Sequence, residues 1–147
     1  YKAVHGYKGP TLVVVRDTKG ARFGAFADNG DAGWREENTF YGSPNSFLFA
    51  ASPKFRVCRS SRSALAGSNF MYLNSEGFSL PHGMGFGGVI EGAEFRLWIP
   101  EGFDGCRALS QDPTYERGGL ASSEQGFEID TIECWGLGGV AAKVSAS

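Results

Sequence analysis

The stretch AEFRLWI, residues 93–99, decides the fold class. Its apolar residues Phe95, Leu97 and Ile99 alternate with charged residues, and a period of two is typical of a β-strand with one face turned to a core. The alternation therefore predicts that these three side chains share the buried face, while Glu94 and Arg96 share the polar face.

A second strand is predicted over FEIDTIECWG, residues 127–136. Here the apolar residues change phase between Ile129 and Ile132. Either both faces of the strand are covered, or a bulge near Asp130 turns the later residues to the other side.

Glu133 is the notable residue of this second strand. Without a bulge it would share a face with Ile129 and Trp135, where a carboxylate needs hydrogen-bond partners or a raised pKa. We predict a structural acceptor for backbone amides of glycine-rich turns. A catalytic carboxylate, paired with Glu128 or Asp130, is the alternative.

The bulk composition indicates one folded domain. The 147 residues are 41% apolar and 14% aromatic, and the net charge of −2 gives no reason to expect a nucleic acid or an anionic membrane as partner. No apolar run approaches the roughly 20 residues of a membrane-spanning helix, so we expect no membrane insertion. Three widely spaced cysteines favour reduced thiols and a cytosolic or nuclear setting. Tyr1 is not a natural start, so we expect that the native N-terminus is missing.

Strand patterns recur along the chain, whereas helix patterns are scarce. A hairpin is predicted from 11–16 and 22–27 around the turn Asp17-Thr18-Lys19-Gly20, and a second one from 46–50 and 55–59. Shorter strands are predicted at 70–74 and 78–80. About eight short strands with glycine-rich turns predict an antiparallel β-sandwich. Its predicted core contains Phe23, Phe47, Phe49, Phe95, Leu97 and Ile132.

Two motifs have a familiar spacing but favour turns. Residues 83–88 match GxGxxG, yet a strand follows instead of the helix that would bind a dinucleotide, so we predict turn and close-packing glycines. Residues 28–33 resemble a calcium loop without its later oxygen ligands, so we predict a solvated turn. The long irregular stretch 101–125 is typical of a binding surface. We expect no cofactor and no metal.

The candidates for nucleophilic or redox chemistry are few. Cys106 precedes Arg107, and a neighbouring cation lowers the pKa of a thiol, so we expect Cys106 to be the most reactive of the three cysteines, although an unreactive thiol is the default interpretation. His82, beside the glycine-rich stretch, is a candidate base, although a surface histidine is the default interpretation. Cys58 and Cys134 are predicted to be small core hydrophobes.

The motifs, taken in order, resemble those of the TLDc domain, a family that includes the oxidation-resistance proteins. The matching runs are GPTLVVVRD at 9–17, FGAF at 23–26, YGS at 41–43 with FLF at 47–49, GG at 87–88 with FRLWI at 95–99, and IECWGL at 132–137. The chain departs from the family pattern where Pro100 and Glu101 follow LWI, and after Cys106. It also begins just before the first motif, so the domain at 1–147 is expected to lack the family's N-terminal portion.

The resemblance implies a two-sheet β-sandwich with short flanking helices and no established active site. Family members protect against oxidative stress, and several bind the vacuolar proton-pumping ATPase. The resemblance thus predicts a monomeric, non-catalytic interaction domain in the cytoplasm, with the nucleus or an endomembrane surface as further locations. The alternative is a stress-protective enzyme that uses Cys106 or Glu133. The motif residues expected to be structural or to contact a partner are Gly24, Gly42, Phe47, Phe49, Gly87, Gly88, Leu97, Trp98, Glu133, Trp135 and Gly136.

Overall fold

The computed structural model describes residues 7–30, 33–34, 39–60, 69–74, 81–122 and 126–137. The described strands, in chain order, are β1 Thr11–Asp17, β2 Arg22–Ala27, β3 Phe47–Ser52, β4 Arg56–Arg59, β5 Tyr72–Asn74, β6 Gly83–Phe86, β7 Leu97–Pro100, β8 Arg107–Ala108 and β9 Ile129–Gly136. The predicted strand at 78–80 lies outside the described residues.

The strands form two antiparallel sheets, which confirms the predicted fold class. The first sheet has the order β4-β3-β2-β1-β9, and the second has the order β5-β6-β7-β8. Within the described ranges the helical structure is one 3-10 turn, Glu91–Ala93, between β6 and β7. The β-sandwich therefore stands, while the flanking helices that the resemblance implied are not found in this part of the chain.

Both predicted hairpins are present. The first is closed by Asp17, whose Oδ1 accepts hydrogen bonds from the amides of Lys19 (3.0 Å) and Ala21 (2.9 Å). Gly20 completes the turn with a φ of 94°, a conformation that glycine adopts without steric cost. The second hairpin pairs Phe47 with Arg59 and Ala50 with Arg56.

The main core between the sheets contains two of the six residues predicted for it, Phe23 and Leu97. Phe23, Phe95 and Leu97 are fully buried, but Phe95 belongs to a second cluster, outside the main core. Phe47, Phe49 and Ile132 are only partly buried. On β3 the sequence FLFA offers apolar residues in both phases, and the residues that point inward are Leu48 and Ala50.

The phase change on β9 results from a bulge, as one of the two interpretations predicted. Arg16 pairs with Thr131 and Asp17 with Ile129, so Asp130 is the extra residue. The bulge places Ile129 and Ile132 on the same side, packed against the core. Glu133 is consequently turned outward, away from the face of Ile129.

The glycine-rich stretch 83–86 is a strand, which confirms close-packing glycines and excludes the dinucleotide loop. A Cβ on Gly85 would come within 2.3 Å of the Phe95 ring, and one on Gly83 within 2.6 Å of the Trp98 ring. Phe95 and Trp98 stack at 4.6 Å between ring centroids. With Tyr72 they form an aromatic layer on the outer side of the second sheet.

This layer corrects the predicted alternation of residues 93–99. Leu97 and Ile99 face the main core, but Phe95 packs with Trp98 because the chain bends at Arg96 before β7 begins. Arg96 is fully buried instead of lying on a polar face. Both sides of this stretch are therefore covered by the protein itself.

Candidate functional site

The outer face of the first sheet carries two rows of side chains that run across its strands. The register places Trp135, Leu12, Phe26, Phe47 and Arg59 in one row, and Glu133, Val14, Gly24, Phe49 and Val57 in the next. We call these residues the outer face. All its aliphatic and aromatic residues keep some exposed surface, and Trp135 is 51% exposed.

Aromatic contacts give the outer face a defined shape. The rings of Phe26 and Phe47 stack with centroids 5.1 Å apart. Gly24 allows a close approach of the β1 backbone, since a Cβ at this position would lie 1.8 Å from the carbonyl oxygen of Val13. The same Cβ would come within 3.1 Å of the Phe49 ring. Phe47 and Phe49 were predicted to lie in the core, but together with Gly24 they form part of this outer surface.

Glu133 lies at the β9 end of this face and is exposed. Its Oε2 accepts a hydrogen bond of 2.9 Å from the indole Nε1 of Trp135, two residues along the same strand. This indole takes the place of the loop amides that the sequence suggested, because the bulge turns the carboxylate outward. Gly136 lies next to Tyr7, whose hydroxyl a Cβ would approach to 2.4 Å.

Cys106 is buried, which corrects the prediction that it lies in an exposed loop, while its reactivity relative to Cys58 and Cys134 stays a prediction. It is 2% exposed, and burial together with the charge of Asp104 raises its thiol pKa to about 11. Arg107 is exposed and, as the next residue of an extended chain, faces the other way. Because the thiolate is the nucleophile, this environment opposes reaction. Burial also raises the pKa of the thiols of Cys58 and Cys134.

The candidate residues for catalysis are not brought together. Glu133 projects from the outer face of the first sheet, whereas Cys106 packs in the core between the sheets. His82 is exposed beside the second sheet, with its Nδ1 3.8 Å from Glu101 Oε2. A nucleophile and its base need hydrogen-bond reach, and this distribution does not provide it.

Arg96 and Asp112 form a buried ion pair that the sequence patterns did not predict. Arg96 Nη1 donates to Asp112 Oδ1 at 2.8 Å, and both side chains are almost fully buried. The guanidinium also donates to backbone carbonyls of Leu109 (2.6 Å), Glu116 (2.8 Å) and Gly118 (2.8 Å). Arg96 therefore fixes the segment 109–118 against the sandwich, and an arginine between the apolar residues Phe95 and Leu97 was its signal in the sequence.

The glycine pair of the family motif belongs to the same arrangement. Asp112 Oδ2 accepts hydrogen bonds from the amides of Gly88 (3.0 Å) and Thr114 (2.9 Å). Gly87 and Gly88 have φ values of 66° and 75°. A Cβ on Gly87 would lie 2.7 Å from Asp112 Oδ2. The two glycines thus have a structural role, as has Gly42, where a Cβ would meet Met71 at 2.7 Å.

A cleft of about 570 Å³ lies at the end of the sandwich near the first hairpin. Its lining includes Asp17, Lys19, Cys106 and Arg107. Asp17 is held by the amide and hydroxyl of Ser122, at 3.0 and 3.1 Å. Burial opposes ionisation of Asp17, but these bonds and those from the hairpin amides outweigh it and lower the carboxyl pKa. The carboxylate is therefore a structural anchor.

The described ranges contain no group of three histidine, cysteine or acidic side chains that could hold a metal ion. In the same part of the chain, no helix is long and apolar enough to cross a membrane.

Two stacked antiparallel sheets with glycine-dependent packing define the class as a β-sandwich. The family model of the TLDc domain matches residues 1–138, and the chain belongs to the TLDc family.

The chain resembles curated relatives of two kinds. The chain is 36% identical over 135 residues to MTOR-associated protein MEAK7 of Danio rerio, covering 89% of the chain and 28% of the relative. It is 36% identical over 137 residues to the MEAK7 protein of Xenopus laevis, covering 90% of the chain and 27% of the relative. It is 30% identical over 135 residues to Oxidation resistance protein 1 of Rattus norvegicus, covering 92% of the chain and 14% of the relative. The chain thus spans about a quarter or less of the length of these proteins.

Proposed function

We propose that this chain is a non-catalytic protein-interaction domain that acts in resistance to oxidative stress. The observation that carries the proposal is the TLDc match over nearly the whole chain, together with similarity to proteins named for oxidation resistance. The partly exposed apolar face of the first sheet supports it, because exposed apolar patches of folded domains are commonly contact surfaces.

The proposed partner is a subunit of the vacuolar proton-pumping ATPase, as the family resemblance implies. The domain would then act in the cytoplasm, at the surface of the endomembranes that carry this pump, with the nucleus as a further location. The relatives named as mTOR-associated suggest a second partner class, an assembly that contains the mTOR kinase.

A stress-protective enzyme using Cys106 or Glu133 is the competing function. The raised pKa of the buried Cys106 thiol and the separation of this residue from Glu133 argue against it.

The test is binding of the purified chain to the purified soluble sector of the proton pump, measured by biolayer interferometry. We expect saturable binding with a micromolar or lower Kd. If a correctly folded chain does not bind at a concentration 100-fold above this expected micromolar Kd, the proposed partner is rejected. A purified mTOR-containing complex, assayed in parallel, decides between the two partner classes.

Peroxide consumption by the same preparation addresses the enzyme alternative. We expect a rate equal to that of the buffer, and no change on Cys106→Ser substitution. Consumption that is lost in the Cys106→Ser variant, with an unchanged melting temperature, would overturn the non-catalytic assignment.

A further inference from the structure

The two rows of the outer face form a patch of definite size. Each row crosses five strands, and neighbouring strands lie about 4.8 Å apart, so the patch is roughly 19 Å long. A helix rises 1.5 Å per residue, so roughly 13 residues have this length. Three to four turns of an amphipathic helix would therefore cover both rows.

Apolar side chains occupy the middle of the patch. Leu12, Val14, Phe26, Phe47 and Phe49 are direct or next neighbours on β1, β2 and β3. They keep exposed surface although the matching inward residues of the same strands are buried, as Val13, Ala25 and Leu48 illustrate. Such a surface loses unfavourable hydration when a partner covers it.

Cations border the patch on one side. Arg16 and Arg22 are directly opposite each other on β1 and β2, and both are exposed. Like charges at such positions repel. Asp130 lies near Arg16, with 3.6 Å between Nε and Oδ2, and no described residue forms an ion pair with Arg22. A partner's carboxylate near Arg22 would reduce the repulsion.

We infer that the outer face is the docking surface for an amphipathic helix of the partner protein, with apolar residues on one side and flanking carboxylates directed at Arg16 and Arg22. Trp135, exposed at the β9 end of its row, would contact one end of this helix, since aromatic residues are enriched in such interfaces. The inference rests on the proposed interaction function and identifies the surface that performs it.

The probe is a synthetic 14-residue peptide with leucines at helical spacing and glutamates on the one flank that would face Arg16 and Arg22. A matched peptide carries lysines in place of the glutamates. We expect the acidic peptide to bind at least tenfold more tightly, measured by fluorescence anisotropy at low ionic strength, and to change the fluorescence of Trp135. Equal binding of the two peptides would overturn the charge argument and with it the inference.

Two variants locate the binding. Trp135→Ser and the double substitution Arg16→Glu/Arg22→Glu are each expected to weaken binding of the acidic peptide at least tenfold. The controls are Phe55→Ser, which removes a 78% exposed phenylalanine from the β3–β4 turn, and Arg107→Glu on the second sheet. Unchanged binding in both outer-face variants, or equal losses in the controls, would overturn the inference. Melting curves verify that each variant is folded.

The same variants separate this inference from the proposed function. If the wild-type chain binds the proton-pump sector and the outer-face variants bind it equally well, the docking surface is wrong while the partner stands. If the wild-type chain binds the acidic peptide but not the pump, the proposed partner is wrong while the surface stands. If the chain binds anionic lipid vesicles through Arg16 and Arg22 but does not bind the peptide, the inference that a protein helix occupies this surface is wrong.

Discussion

The two sheets differ most in what covers their outer sides. On the second sheet, Tyr72, Phe95 and Trp98 form a buried aromatic layer on glycine-containing strand β6. On the first sheet, Phe26 and Phe47 also stack, yet both keep exposed surface.

The difference shows how glycine allows a sheet to be covered by its own chain. Gly83 and Gly85 have no side chains to hold the aromatic rings away, so Phe95 and Trp98 lie directly on the backbone of β6. On the first sheet Gly24 accommodates the ring of Phe49 from the same sheet. The second sheet therefore buries its apolar surface within the domain, and the first retains apolar surface that a partner can use.

The strongest test of this contrast is Phe95→Ala compared with Phe47→Ala. Phe95 is fully buried, so its truncation should lower the free energy of unfolding by about 3–5 kcal/mol. Phe47 is only partly buried, and its truncation should cost about 1–2 kcal/mol. Urea denaturation measures both. Equal losses would show that the two outer sides are covered to the same extent.

Asp112→Asn tests the ion pair that holds the segment 109–118. The substitution leaves the buried Arg96 guanidinium without its counter-ion, and we expect a loss of about 3 kcal/mol in urea denaturation. Asp104→Asn is the matched control, because Asp104 is exposed. It should change stability by no more than about 0.5 kcal/mol. If Asp104→Asn lowers the free energy of unfolding as much as Asp112→Asn does, the stabilising role assigned to the Arg96–Asp112 ion pair is wrong.

Asp17→Asn tests how much the carboxylate at the first hairpin contributes to the stability of the first sheet. The carboxyl pKa of Asp17 is lowered, so the folded state favours the ionised carboxylate. The ionised carboxylate therefore stabilises the fold above the unfolded-state pKa of 3.8, and this stabilisation is lost as the pH falls through the folded-state pKa. We expect the variant to be about 1–3 kcal/mol less stable at pH 7. The difference from wild type should shrink below pH 3.8. Melting curves over this pH range measure it, and a constant difference would contradict the assignment.

Glu133→Gln should have the smallest effect on stability. Glu133 is exposed and accepts its hydrogen bond from Trp135, which is 51% exposed. We expect a change of no more than about 0.5 kcal/mol in urea denaturation. A loss above about 1.5 kcal/mol would indicate that this end of the first sheet is covered in the same way as the second sheet.

Much of the fold was predictable because its signals are local. The β-branched run in β1, the Asp17–Gly20 turn and the alternation of Leu97 with Ile99 predicted strands and hairpins correctly. The phase change around Asp130 predicted a bulge as one of two explanations. The family motifs indicated the TLDc family, to which the chain belongs.

The candidate site was less predictable, because burial depends on contacts between distant segments. Cys106 looked reactive beside Arg107, but the sandwich buries it and the carbonyl of Phe103 accepts its thiol hydrogen bond at 3.5 Å. Phe47 and Phe49 looked like core residues, since a sequence that is apolar in both phases does not indicate which phase points inward.

The strands, the turns, the sandwich class and the family were all predictable from the chain, since they follow from the order of its apolar, polar and glycine residues. Three features became visible only in the folded protein: Arg96 is buried with Asp112, Glu133 faces outward, and one sheet keeps a partly exposed apolar face. Each of these depends on which segments, distant in the chain, come to lie within a few ångströms of one another, and the alternation within a single strand carries no information about that.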